Sequence, residues 1–212
     1  IRENRDSIIK DLDILLQVSS IPNINILKLS KDNLIILGTF NPYENLKDLK
    51  ELAIKKINVV SLDLLPRISR AQSMDVLSSQ ANLAGYKAVV LASNIFKKAF
   101  PMMMTAAGTI IPAKCRVLGA GVAGLQAIAT ATRLGCVVTA FDVRPEVEDQ
   151  VKSLGAKFIK IEDNNDLEKN SVYAKEMTEE YKAKQKDKIH QSAKEMDIII
   201  STAMIPGKKA PI

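Results

Sequence analysis

Residues 114–129 read Lys114-Cys-Arg-Val-Leu-Gly-Ala-Gly-Val-Ala-Gly-Leu-Gln-Ala-Ile-Ala129: a short apolar strand, a glycine turn, and a helix that opens without a charge. Gly119, Gly121 and Gly124 have the G-x-G-x-x-G spacing. In such a turn the first glycine permits a tight bend, the second lets the backbone approach a pyrophosphate, and the third lets helix and strand pack closely. The helix start then offers free N–H groups and a partial positive charge to phosphate. With Val122 and Ala123, these glycines form an expected phosphate cradle. Spacing alone is a weak signal, because glycine pairs also serve ordinary strand-to-helix turns. Its context agrees with it. A second strand, Cys136-Val-Val-Thr-Ala-Phe141, ends in Asp142. That acid stands at about the 20-residue remove from Gly119 at which a carboxylate meets the adenosine ribose. Val143 and Arg144 follow it and belong to the same expected site.

On either side, strands and helices alternate. Leu12–Val18, Leu34–Phe40 and Ile57–Leu62 are apolar runs bounded by turn residues such as Pro22 and Asn41-Pro42, and read as strands. Residues 1–13 read as the end of a surface helix. Asn45–Lys56 places Leu46, Leu49, Leu52 and Ala53 at helical spacing. A long helical pattern runs from Val76 to about Phe100, with Val76, Leu77, Leu83, Ala84, Ala88 and Leu91 as its expected apolar face. Gly85 inside it costs about 1 kcal/mol against alanine and points to a tight helix crossing. Pro101–Pro112, uncharged and rich in methionine, reads as the domain junction; the plainer alternative is apolar packing beneath a cleft. Downstream come a helix opening at Pro145 and stopping at Gly155, a strand at Lys157–Ile161, a polar loop at Glu162–Ser171 and a charged helix at Thr178–Glu195. The last strand, Asp197–Ser201, delivers Thr202, Ala203 and Met204 to its carboxyl end, where ligands sit in open α/β sheets. The alternation predicts an α/β fold of two Rossmann-like parallel-sheet domains joined by a long helix. Residues 1–100 form the first, incomplete and with no glycine turn of its own. Residues 101–212 form the second, which carries the dinucleotide site and is incomplete at its C-terminal end.

Bulk properties narrow the partners. A hydrophobic share of 47% with 25% charged residues supports a real core. The net charge of +6 comes from basic residues interleaved with acids, as in Lys47-Asp-Leu-Lys-Glu51. Without an aromatic platform this describes solvated helix faces and argues against nucleic-acid binding. Cys115 and Cys136 fall in expected buried strands, where free cysteine behaves as a small hydrophobe. They imply a reducing compartment and no disulfide framework. The longest uncharged run, Val117–Thr132, falls short of the roughly 20 apolar residues that span a membrane. The chain opens Ile-Arg-Glu-Asn, without Met or a signal peptide, and ends just after a strand, so it reads as an excised piece. No metal site is expected. The sequence contains no HExxH, CxxC pair, G-x-S-x-G or Walker motif, which leaves zinc hydrolysis, thiol chemistry, the serine-hydrolase elbow and P-loop phosphoryl transfer without support.

Three segments together resemble the NAD(H)-binding component of proton-translocating NAD(P) transhydrogenases. They are Pro66-Arg-Ile-Ser-Arg-Ala-Gln-Ser-Met-Asp-Val-Leu-Ser-Ser-Gln-Ala-Asn-Leu-Ala-Gly-Tyr-Lys-Ala88; Phe100-Pro-Met-Met-Met-Thr-Ala-Ala-Gly-Thr109 running into the glycine turn; and Tyr173-Ala-Lys-Glu-Met177 with Thr202-Ala-Met-Ile-Pro-Gly207. The first is far more specific than a glycine fingerprint. From composition alone its polar stretch is equally a helix-capping loop. The resemblance implies a loop over the nicotinamide built by Arg67, Gln72 and Asp75, in which Arg67 and Asp75 pair and Gln72 bridges to the nicotinamide ribose. It implies that Ser78 faces the carboxamide, that Asp142 holds the adenosine ribose and disfavours a 2′-phosphate, and that Tyr173 and Met177 sit on a mobile loop closing over the nucleotide. One departure stands out. Ser171-Val172 replace the glycine pair usual before that tyrosine, and Val172 is stiff.

The implied reaction is direct hydride transfer from NADH to NADP⁺ held by a separate NADP(H)-binding component, with a proton-channel membrane component coupling the exchange. A homodimer is implied as well. The chain would be a soluble domain of a membrane-bound enzyme, facing the bacterial cytoplasm or an organelle matrix such as that within the mitochondrial inner membrane. Two other readings stay open. An alanine dehydrogenase shares the architecture but needs a lysine and a histidine acting on the amino acid, and the sole histidine, His190, lies in a charged helix without an evident partner. An NAD(H)-binding or assembly module without turnover of its own is the other.

Overall fold

The computed structural model describes residues 5–19, 27, 29–66, 68–159, 190–191 and 193–203. Arg67, Tyr173, Met177 and Met204 lie outside the described residues, as do the expected loop at Glu162–Ser171 and most of the helix at Thr178–Glu195. Two compact units divide at Ser79 and Gln80.

The first unit holds helix α1 (Arg5–Asp11), strands β1 (Ile14–Ser19) and β2 (Ile35–Thr39), helix α2 (Leu46–Ile54) and strand β3 (Asn58–Ser61). The strands form a parallel sheet in the order β1-β2-β3. Along and around β2, Leu34, Ile36, Gly38 and Phe40 are buried, the period of two that a strand imposes on one face. They pack with Leu27, Leu52 and Ile57 into one core. At Gly38 a Cβ would drive into the backbone carbonyl of Gln17 on β1, so only glycine lets the two strands lie together there.

Helix α3 (Val76–Ile95) begins in the first unit and continues into the second. Its packed stripe corrects the sequence expectation. Gly85 and Val89 are buried, and Ala88, Ala92 and Phe96 lie against the second core. The expected Leu77, Leu83 and Leu91 are instead exposed. Small residues set the stripe because α3 crosses the start of a following helix so closely that a Cβ on Gly85 would strike the carbonyl of Ala123. The tight crossing expected at Gly85 is present.

In the second unit the strands β6 (Lys114–Leu118), β7 (Val137–Phe141), β8 (Lys157–Phe158) and β9 (Ile198–Ser201) form a parallel sheet in the order β8-β7-β6-β9. Helices α4 (Val122–Arg133) and α5 (Glu148–Ser153) join β6 to β7 and β7 to β8, the latter opening with a 3-10 turn at Pro145–Val147. Element ends fall within a few residues of those read from sequence, the usual scatter of frayed termini. Cys115, Val117, Ala127, Ile128, Val138 and Val151 are among the core side chains. Burial pushes the Cys115 thiol up to about 12 and the Cys136 thiol to about 11, so both are inert packing groups.

Pro101–Pro112 does not follow the packing alternative. It forms a two-stranded antiparallel ribbon, β4 (Met103–Thr105) with β5 (Gly108–Ile110), whose Met103, Met104 and Ile110 are exposed rather than packed beneath a cleft. The turn between Thr105 and Gly108 folds the segment on itself, and a ribbon of two short strands has no interior to fill.

Candidate functional site

The direction of chain travel reverses at β6. From β6 the sheet grows one way through β7 and β8, and β9 then adds on the other side. Open α/β sheets hold ligands beyond the carboxyl ends of the strands at such a reversal, here those of β6 and β9. Gly119 leaves β6 and Thr202 leaves β9 at this point. A shallow hollow lined by Lys98, Phe100, Arg133 and Gly135 lies at the opposite, amino-terminal edge.

The three glycines do different work. Gly119 has φ +93°, a left-handed conformation that L side chains rarely adopt. A Cβ on Gly124 would overlap the carbonyl oxygen of Gly119, so this glycine sets how closely α4 lies on the turn. Gly121 has neither constraint. Its φ is −78°, and a Cβ there would meet nothing within 4 Å. Conformation and packing therefore leave Gly121 free, and what its lack of a side chain provides is open space beside the backbone. It is also the N-cap of α4 and carries no capping side chain, and the first helical turn has no acid. Among the described residues no side chain caps the first N–H groups of α4, the arrangement an anion site requires.

Both flanking strands clamp the turn. On the β7 side, the Gly119 N–H donates to the Phe141 carbonyl at 2.8 Å. On the β9 side, the Thr202 N–H donates to the Leu118 carbonyl at 2.8 Å, and the Thr202 hydroxyl reaches the Gly119 carbonyl at 3.0 Å. Ala203 lies beside Gly119 as well.

Asp142 joins the site from β7. One carboxylate oxygen accepts the Ala120 N–H at 2.7 Å and an Arg144 Nη2–H at 3.1 Å; the other accepts the Arg144 N–H at 2.9 Å and its Nε–H at 3.1 Å. Burial alone would raise its pKa. Hydrogen bonds from the Arg144 side chain and from the Ala120 and Arg144 backbones outweigh burial and hold it below the ordinary carboxylate value. Arg144 is raised in turn, chiefly by its bond to Asp142. Val143 between them is exposed. The bond from Ala120 was invisible in the sequence, since any residue type supplies an N–H there.

In the first unit, Asp75 is the N-cap of α3. Its two oxygens accept the Ser78 N–H at 2.9 Å and the Ser78 hydroxyl at 2.7 Å. Gln72 is exposed on the 3-10 turn Ser69–Met74 that precedes it. The structure thus assembles two groups of the expected residues: Asp75 with Ser78, and Gly119, Gly121, Val122, Ala123, Gly124, Asp142, Val143, Arg144, Thr202 and Ala203. Among the described residues there is no cluster of side chains able to hold a metal ion, and no helix is long and apolar enough to cross a membrane.

A glycine turn at a topological switch point, an uncapped helix start and an acid on the neighbouring strand define the architecture of the Rossmann-type nucleotide-binding folds. The chain belongs to the alanine dehydrogenase/PNT family. Residues 1–84 match the family's N-terminal domain and residues 88–212 its C-terminal domain. It is 50% identical over 208 residues to an NAD(P) transhydrogenase alpha-subunit protein of Rickettsia prowazekii, covering 97% of this chain and 54% of that one. Among solved structures, a transhydrogenase from Sinorhizobium meliloti superposes with a TM-score of 0.82 at 46% identity, covering 97% of this chain and 55% of that one. An L-alanine dehydrogenase superposes with a TM-score of 0.70 at 17% identity, over 100% of this chain and 53% of that one, which shows a shared fold. The chain spans about half the length of the relatives it matches.

Proposed function

We propose that this chain is the NAD(H)-binding part of a proton-translocating NAD(P) transhydrogenase. The observation that carries the reading is the open space at Gly121 in front of an uncapped helix, in a chain half identical to a protein named as a transhydrogenase alpha subunit. The N–H groups at the start of α4 hold the pyrophosphate, Val122 and Ala123 contributing backbone, and Asp142 accepts the adenosine ribose hydroxyls. Bound NADH supplies a hydride from its nicotinamide C4 to C4 of NADP⁺ on a separate NADP(H)-binding component, which yields NAD⁺ and NADPH. The chain's own part is orientation and exclusion of water, with no general base. Gln72 steers the nicotinamide ribose, and Asp75, tied to Ser78 at the start of α3, holds the loop that carries Gln72. Arg67, Tyr173, Met177 and Met204 complete the assignment. A homodimer coupled to a proton-channel membrane component, on the bacterial cytoplasmic or organelle-matrix side, is the assembly this reading requires.

The 50% identity to a protein named as a transhydrogenase subunit, against 17% to an L-alanine dehydrogenase of shared fold, favours this reading within the family. The sole histidine, His190, is exposed. Stopped-flow transhydrogenation from NADH to an NADP analogue, with the NADP-binding component added, tests the proposal. Gln72→Asn is expected to slow hydride transfer by roughly ten-fold or more, the scale on which misplaced reactants lose rate, while NADH affinity stays within about two-fold by fluorescence titration. Equal losses in both overturn the orienting role. NADH binding with no transfer in the wild type favours a module without turnover.

A further inference from the structure

An ionised carboxylate offers about four acceptor positions. At Asp142 all four are filled: two by the backbone N–H groups of Ala120 and Arg144, and two by the Arg144 guanidinium. A ribose diol brings two donors to a carboxylate that has no position left. The two kinds of occupant differ in how firmly they are held. The Ala120 N–H is fixed by the turn leaving β6, whose last residue, Leu118, lies in register with Phe141. The Arg144 N–H is fixed by the chain itself. The guanidinium sits on a rotatable side chain that is 53% exposed, whereas the Asp142 side chain beneath it is 7% exposed.

We propose that Arg144 is the specificity-determining counter-ion of this site, an exchangeable cap whose two guanidinium bonds to Asp142 are replaced by the two ribose hydroxyls when nucleotide binds. The inference rests on the reading of Asp142 as the ribose acceptor and adds what that acceptor does without ligand. Two consequences follow for nucleotide choice. The cost of displacing the guanidinium opposes the binding of every nucleotide that reaches Asp142. Once displaced, the same guanidinium stands as a cation beside the ribose, where it partners a 2′-phosphate that the carboxylate alone would repel. Arg144 therefore weakens NADH binding and softens the rejection of NADPH.

The test is titration of the full-length protein with NADH, NADPH, 5′-AMP and 2′-AMP, for wild type, Arg144→Ala, Arg144→Lys and Asp142→Asn. Arg144→Ala is expected to tighten NADH and 5′-AMP by roughly two- to five-fold, the reach of an exposed ion pair, and to weaken NADPH and 2′-AMP. Arg144→Lys keeps the charge without the planar fork and falls between the two. NADH affinity that drops in Arg144→Ala, or selectivity identical to wild type, overturns the exchange. Asp142→Asn separates the two levels. If it loses NADH affinity while Arg144→Ala is neutral, only the exchange fails. If Asp142→Asn itself changes nothing, the ribose assignment fails and the exchange with it.

Discussion

The two parallel sheets solve the same local problem in the same way, and only one of them leaves the helix start beside it without a side chain at its N-cap. In each, an aspartate just past one strand ties down N–H groups at the carboxyl end of its neighbour. Asp63, after β3, accepts the Phe40 and Asn41 N–H groups at 2.6 and 2.9 Å and the Ser61 hydroxyl at 2.8 Å. Asp142, after β7, accepts the Ala120 N–H after β6. The strand-to-helix turns beside them differ. Beyond β2 the chain runs Phe40 to Asn45 before α2, and the Asn45 side chain donates back to the Phe40 carbonyl. Beyond β6, glycines bring α4 in at Val122 with its first N–H groups uncapped. A carboxylate at a strand end is thus a structural device until a glycine turn leaves something beside it to bind. The donors on Asp63 are two backbone groups and a short serine, whereas Asp142 also holds an exposed arginine.

The comparison breaks most sharply at the glycines. Gly124→Val is expected to cost about 3 kcal/mol or more, because the obstacle is the backbone carbonyl of Gly119, which has no rotamer to yield. NADH binding should go with it. Gly38→Val meets the equivalent obstacle, the Gln17 carbonyl, and should lose stability on the same scale. Gly121→Ala meets nothing, so its melting temperature should match wild type while NADH binding falls by about ten-fold or more, through the space that a pyrophosphate needs. Thermal melts paired with NADH titration check all three. Normal NADH affinity in Gly121→Ala would remove the phosphate role from this turn and leave it the equal of the turn after β2.

Next in size is the pair of acids. Asp63→Asn and Asp142→Asn each drop a charge, and each hydrogen bond that loses its charged partner weakens by about 1 kcal/mol. Asp63 accepts three such bonds, so Asp63→Asn should cost about 2–3 kcal/mol in stability with NADH affinity untouched. Asp142→Asn should weaken NADH by about ten-fold, through two ribose bonds, and relax discrimination against NADPH. The pH dependence has a defined sign. Both carboxylates are held below the ordinary value of 3.8, their hydrogen bonds overcoming burial. Their stabilisation is therefore complete above about pH 4 and fades as pH falls through the lowered folded-state values. The stability gap between wild type and Asp63→Asn should hold constant from about pH 5 to 8 and narrow below about pH 4. A gap that is flat to about pH 3 would detach Asp63 from acid unfolding.

How much of this was legible in advance follows from what each feature depends on. The glycine turn and Asp142 could be read because steric freedom and spacing belong to residue identity. The strand alternation was legible for the same reason. The packed stripe of α3 was not, since large apolar residues were expected inward while Gly85 and the alanines decide how close two helices come. Asp63 carries no sequence signal, because an acid bonding backbone N–H groups across two strands has no periodicity. The occupancy of Asp142 by Arg144 needed dihedral angles and a rotamer. Asp75 illustrates a residue with two readings, polar loop or helix cap, and its bonds to Ser78 establish the capping one without excluding a role in the loop.

The smallest expected effect concerns Thr202, which among the described residues has no counterpart holding the turn after β2. Its hydroxyl reaches the carbonyls of Gly119 and Leu118 at 3.0 and 3.3 Å, and its oxygen also fills the space beside Gly124. Thr202→Val keeps the volume and loses the donor, for about 1 kcal/mol. Thr202→Ser keeps the donor. If the hydroxyl acts by holding the turn, valine should weaken NADH only a few-fold, serine should restore it, and amide exchange at Gly121 and Val122 should quicken in the valine variant alone. A serine variant as weak as the valine one would shift the role to the methyl group, and the turn would then be held at β9 by packing instead of by a hydrogen bond.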